Sequence, residues 1–112
     1  LPALRKILRL DVVIANAENA AGGSGLTPKT YAPLRKAGID AVTMGDHIYE
    51  KTEIYSLFDK KEPICKPANF PPEAPGPDHT LFQTPDGTSV AVISVLGRIF
   101  TRPVDCPLTA LD

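Results

Sequence analysis

Two short apolar runs, each cut off by a polar loop, constrain this chain more than any other feature. Asp11-Val12-Val13-Ile14-Ala15 carries four consecutive apolar residues, a length that suits a strand covered on both faces. Ile39 to Met44 is a second such run, ending at Gly45. Between them lie a loop of small and polar residues, Asn16 to Leu26, and a segment of helical length. Thr27-Pro28 places a capping hydroxyl and a first-turn proline at its start, and Gly38 is a fitting stop. Strand, helix, strand predicts a right-handed parallel crossover. Pro33 lacks the amide that a mid-helix position donates, so the helix is expected to kink there or to begin afresh near Ala32.

Flanking segments extend the pattern. Leu4, Ile7 and Leu8 recur at amphipathic spacing, which predicts the end of a helix over Leu4 to Leu10. Ile48, Ile54, Tyr55, Leu57 and Phe58 predict another from Lys51 to Asp59. Proline-rich loops follow. His79 to Thr84 and Thr88 to Leu96 then read as strands joined by Pro85-Asp86-Gly87, an antiparallel hairpin. The fold class is therefore α/β, with a mixed sheet in one domain over residues 1–112. Opening at Leu1 without Met, and trailing off from Thr109 to Asp112 after a proline-rich loop, the chain reads as a piece of a domain truncated at both ends.

Composition removes several function classes. Apolar residues are 43% of the chain and charged residues 22%, which is the balance of a globular protein and not of a disordered one. The 12 prolines gather between Pro63 and Pro85 and at Pro103 and Pro107, so those loops should be stiff. A net charge of −1 gives no electrostatic case for duplex nucleic acid or a membrane surface, while a small nucleotide substrate stays open. Cys65 and Cys106 are far apart with no disulfide framework, which points to free thiols and a cytoplasmic protein. The longest apolar run, Val90 to Leu96, is too short to cross a bilayer, and no signal peptide is visible.

In open parallel sheets, ligands gather beyond the carboxyl ends of the strands, where loops converge on a rigid base. Two loops qualify. One follows Ala15 and holds Asn16, Glu18 and Asn19; the other follows Met44 and holds Gly45, Asp46 and His47. Carboxylates, amide oxygens and an imidazole form a hard donor set suited to Mn, Fe or Mg more than to thiolate-bound zinc. On spacing alone, an Asp before a helix is more often a cap and a loop Glu more often solvated. Gly22-Gly23-Ser24-Gly25 precedes Leu26-Thr27 with no phosphate-binding lysine, which favours a tight turn over a phosphate cradle.

Taken together, Val13-Ile14-Ala15-Asn16-Ala17-Glu18-Asn19-Ala20-Ala21-Gly22-Gly23 and Gly25-Leu26-Thr27 closely resemble the YmdB-like bacterial metallophosphoesterases. Ala37-Gly38-Ile39-Asp40-Ala41-Val42-Thr43-Met44-Gly45-Asp46-His47 is similar to the family's strand leading into a Gly-Asn-His motif, with Asp46 in place of the Asn. Further segments agree in the same order: Lys66 to Pro72, Pro75-Gly76, Val90 to Ile93, and Gly97-Arg98-Ile99-Phe100 through Asp105-Cys106-Pro107. The resemblance implies a four-layer sandwich of helices around two sheets. It also implies a two-metal centre (Fe, Mn or Mg) that hydrolyses phosphodiesters, with 2′,3′-cyclic nucleotides as the substrate class. By motif, Glu18 would bridge the metals, Asn19 would lie beside them, Asp46 would ligate one, and His47 would be the adjacent acid. The family's first metal-binding Asp falls before this chain and its metal-binding histidines after it, so the centre is incomplete here and these residues alone are expected to be inactive. His79 matches no family ligand, and Arg98 is as well explained by a loop contact as by a phosphate. A noncatalytic interaction module on the same scaffold, a phosphomonoesterase on the same centre, and homo-oligomerisation all stay open.

Overall fold

A computed structural model describes residues 1–99 and 103–112; Phe100, the last residue of one family-like segment, lies outside that range. The elements are α1 (Pro2–Ile7), β1 (Ile14–Asn16), α2 (Pro28–Lys36), β2 (Ala41–Thr43), α3 (Ile54–Asp59), β3 (Ile64–Cys65), β4 (His79–Gln83), β5 (Ser89–Ile93) and α4 (Pro107–Leu111).

The expected crossover is present. Strands β1 and β2 are parallel neighbours, with Ile14 opposite Ala41 and Asn16 opposite Thr43. Helix α2, between them, starts in a capping box: the Thr30 amide donates to Thr27 Oγ1 at 3.3 Å and the Thr27 amide to Thr30 Oγ1 at 3.0 Å. The helix runs through Pro33 without restarting at Ala32. Lys29 and Pro33 are both exposed, so the carbonyl that Pro33 cannot serve can turn to water. Gly38, at a φ of +96°, ends the helix.

Several expectations need correction. Strand β1 is not covered on both faces: it is a sheet edge, and Ile14 is 47% exposed. Helix α1 spans Pro2–Ile7 and buries none of its residues. Its hold on the body is Arg5, which pairs with Asp40 at 2.9 Å and donates to Gly38 O at 2.8 Å. Helix α3 begins at Ile54, three residues later than its apolar period alone predicts. The stretch read as proline-rich loop contains β3, a third parallel strand beside β2, with Val42 opposite Ile64. Two residues between Pro63 and Lys66 are too few to show a period; it is the β2 edge that draws them into a ladder. The chain also closes with α4, begun by Pro107, where no element was expected.

The single mixed sheet resolves into two: parallel β1-β2-β3 and the antiparallel pair β4-β5, linked by one parallel bridge between Pro67 and Ser94. The hairpin turn is as expected, with the Thr84 amide donating to Thr88 O and the Gly87 amide to Thr84 O, each at 2.9 Å.

Alternation along β2 and β3 builds two cores. Val42 and Ile64 face the helices, joining Leu26, Tyr31, Ile54 and Leu57. Ala41 and Cys65 face the hairpin, meeting Val92, Phe82 and Val90. The parallel sheet is thus clamped between helices and hairpin, which holds the carboxyl ends of β1 and β2 in a fixed frame. No helix among the described residues is long and apolar enough to cross a membrane.

Candidate functional site

Pairing between β1 and β2 dictates which loop residues meet. Asn16 stands opposite Thr43, and the Ala17 amide continues the ladder to Thr43 O at 3.0 Å. Two residues further on in each strand direction, Glu18 lies beside Gly45. So close is the approach that a Cβ built on Gly45 would stand 2.5 Å from Glu18 Cδ and closer still to its Oε2.

The Glu18 loop is tied back by its own backbone. The Gly25 amide donates to Glu18 O and the Ala21 amide to Gly25 O. Gly25 itself is pressed against the chain after the second loop, where an added Cβ would meet Lys51 Cγ at 2.9 Å. Two amides of the glycine-rich turn are therefore spent inside the loop, which makes it a clasp for Glu18 and leaves them unavailable to a phosphate.

His47 reaches across to the first loop. Its Nδ1 sits 2.9 Å from Asn19 Oδ1 and 3.9 Å from Glu18 Oε2, with the His47 side chain 44% exposed and that of Glu18 24%. The structure thus brings Glu18, Asn19 and His47 together over the ends of adjacent parallel strands. Asn16 is held slightly apart: its Nδ2 donates to Thr43 Oγ1 at 3.4 Å, and its Oδ1 accepts from the Glu18 amide at the same distance.

Asp46 makes none of these contacts. It lines a hollow of about 170 Å³ with Tyr49, Phe70, Pro71, Ala74 and Val104, and its Oδ1 is buried with no hydrogen-bond partner among the described residues. A buried, unanswered carboxylate oxygen is costly and calls for a donor or a cation. Among the described residues no group of three or more His, Cys, Asp or Glu side chains converges as a complete metal cage. His79 stands at the start of β4, exposed and paired with Asp78 at 2.6 Å, outside this cluster. Arg98 is exposed near Cys106, whose thiol is held below its ordinary value by hydrogen bonds from Thr109 first and by the Arg98 charge last.

Sequence reasoning assigned no role to three residues that wall this region. Lys66, almost fully buried, donates from Nζ to Ala74 O at 2.8 Å and Pro71 O at 3.2 Å. Tyr49 donates its hydroxyl to Pro75 O, and burial pushes its pKa up to about 12. Asn69 Nδ2 donates to Leu96 O at 2.8 Å and Asp105 O at 3.0 Å, while its Oδ1 accepts from the Leu96 amide at 2.9 Å. Between them the first two fix the strap Pro71–Pro75 beside the Asp46 loop. Only the dense prolines hinted at it, since they mark stiff backbone whose carbonyls need outside donors.

Known proteins share both the sequence and this arrangement of strands. The family model described as YmdB-like protein matches residues 1–112. The chain is 40% identical over 111 residues to a 2′,3′-cyclic-nucleotide 2′-phosphodiesterase of Bacillus subtilis strain 168, covering 99% of this chain and 42% of that protein. The crystal structure of a hypothetical protein from Thermus thermophilus superposes with a TM-score of 0.90 at 43% identity, over 98% of this chain and 42% of the other. A novel phosphatase from Mycoplasma pneumoniae superposes with a TM-score of 0.84 at 27% identity, over 98% and 41%. The chain thus spans about two fifths of the length of the relatives it matches.

Proposed function

This chain belongs to the family of YmdB-like proteins, and from that premise we propose that the protein carrying it is a metal-dependent phosphodiesterase acting on 2′,3′-cyclic nucleotides or related small phosphodiesters. The observation that carries the reading is the meeting of Glu18 and His47, 3.9 Å apart, over the carboxyl ends of two neighbouring parallel strands.

Hard oxygen donors and an imidazole fit Mn, Fe or Mg, and the unanswered Asp46 Oδ1 is a group that such a cation would satisfy. In this proposal Glu18 and Asp46 would hold the cations and Asn19 would lie beside them. Bound there, two cations supply Lewis acidity to the phosphate oxygens and lower the pKa of a water. Further ligands come from the parent chain outside these residues.

His47 supplies the proton. With Asn19 Oδ1 accepting at Nδ1, the neutral ring carries its hydrogen on Nδ1 and leaves Nε2 as the free atom. In the charged ring Nε2–H donates to the departing ribose oxygen, a contribution of roughly 10²–10⁴ in rate. In this proposal the scaffold is part of a four-layer sandwich. Leu81, 67% exposed, and Ile93, 48% exposed, give the outer hairpin face an apolar surface for a further layer to cover. Free Cys65 and Cys106 suit a reducing cytoplasm.

The test uses the full-length protein with 2′,3′-cyclic nucleotides, linear dinucleotides and nucleoside monophosphates in competition, wild type against His47→Ala. Cleavage of the diesters with a loss of about 10²-fold or more in kcat for His47→Ala is expected. Unchanged turnover in that variant removes His47 as the acid, and preferential cleavage of monophosphates makes the protein a phosphomonoesterase.

A further inference from the structure

We infer that Gly45 is a positioning residue for the proposed centre: its missing side chain is the seat on which the Glu18 carboxylate rests, and any larger residue there drives that carboxylate away from His47. The inference rests on the phosphodiesterase reading for its consequence but on geometry for its existence. An ideal Cβ at Gly45 meets three atoms of one group, Glu18 Cδ at 2.5 Å, Oε1 at 2.7 Å and Oε2 closer than either. Non-bonded heavy atoms settle at roughly 3.5–4.0 Å, so the carboxylate cannot stay where it is.

The chain gives Glu18 little freedom to yield by moving its backbone. Its carbonyl is bonded to the Gly25 amide, its amide faces Asn16 Oδ1, and Ala17 before it is buried and paired to Thr43 O. The accommodation must therefore come from the Glu18 side-chain torsions, which swing the carboxylate off the seat and out of its 3.9 Å relation to His47 Nδ1. No φ in the left-handed region accounts for a glycine at this position, in contrast to Gly22, Gly23 and Gly25. What demands glycine at 45 is a neighbour's carboxylate, set beside it by the parallel register of β1 and β2.

The test is a double-mutant cycle in the full-length protein with Gly45→Ala, Glu18→Ala and the pair, reading thermal unfolding and Mn²⁺ binding by equilibrium dialysis. Gly45→Ala is expected to weaken Mn²⁺ binding by about 10–100-fold, the usual range for a disturbed support around a metal ligand, and to lower the melting temperature only slightly, because the atoms it strikes end a flexible side chain. With Glu18 truncated to Ala, adding Gly45→Ala should cost nothing further in either measurement, because the carboxylate it would strike is gone. This relief is readable even where Gly45→Ala alone folds poorly. Full additivity in melting temperature overturns the inference, since glycine would then be needed for some other contact. Relief in melting temperature without any Mn²⁺ binding in the wild type leaves the seat standing and overturns the metal reading instead.

Discussion

Asn69 is the most informative place to test how this fold is held together. It is 1% exposed and answers three main-chain groups through its side chain: the carbonyls of Leu96 and Asp105 and the amide of Leu96. Its own carbonyl accepts from the Asp105 amide at 2.8 Å, so one residue fastens the segment before the strap to both the stretch after β5 and the approach to α4. Asn69→Ala removes all three side-chain bonds and leaves their part-buried partners unanswered. At about 1–3 kcal/mol for each unsatisfied group, the sum is roughly 3–9 kcal/mol, and entry of water into the vacated space brings the expectation to about 3–4 kcal/mol. Against the roughly 5–15 kcal/mol that holds a whole domain folded, that is a large share. The assay is urea unfolding of the full-length protein followed by far-UV circular dichroism. Asn69→Asp sharpens it: the acceptor for the Leu96 amide survives, but a carboxylate oxygen replaces the donor and faces two carbonyl oxygens, so the variant should be no more stable than Asn69→Ala. A loss below about 1 kcal/mol in Asn69→Ala, or an Asn69→Asp protein as stable as wild type, would refute the reasoning.

Two further outcomes follow from the site. Asp46→Asn removes one negative charge from the proposed centre, so cations should be held less tightly while diester cleavage persists; Mn²⁺ titration together with turnover checks this, and complete inactivity would mean the carboxylate is integral. Tyr49 titrates near pH 12 in the folded protein against an ordinary value of 10.0, so folding favours its protonated form. Its contribution to stability is complete below pH 10 and is lost as pH rises toward 12, and Tyr49→Phe, which cannot ionise, should flatten that alkaline limb in a melting-temperature series.

Much of the functional frame was legible in the residues because it is written locally. The apolar runs before Asn16 and Gly45, the Thr27-Pro28 start and the Gly38 stop specify a crossover through neighbours only a few positions apart, and a crossover in turn puts Glu18 and His47 at the same end of a sheet. Less legible were features whose cause lies across the fold. Strand β3 exists because β2 offers it a ladder, and α1 shows a helical period although none of its residues is buried and Ile7 is 74% exposed. The hairpin was foreseen as an extension of the parallel sheet, yet it packs face to face on that sheet through Phe82, Val90 and Val92, a choice made by which alternate side chains find a surface to bury against.

By itself the sequence determined the order of strand, helix and strand and the identity of the polar groups at the two loop ends, since these depend on composition and spacing along the chain, and its resemblance to known proteins pointed to the family. Only the tertiary structure decided that Glu18 lies on Gly45, that Asn19 and not Asp46 meets His47, and that Lys66, Asn69 and Tyr49 brace the surrounding loops. Those are matters of register and of long-range donors for buried carbonyls, and a one-residue shift between β1 and β2 would have put a different pair of side chains in contact.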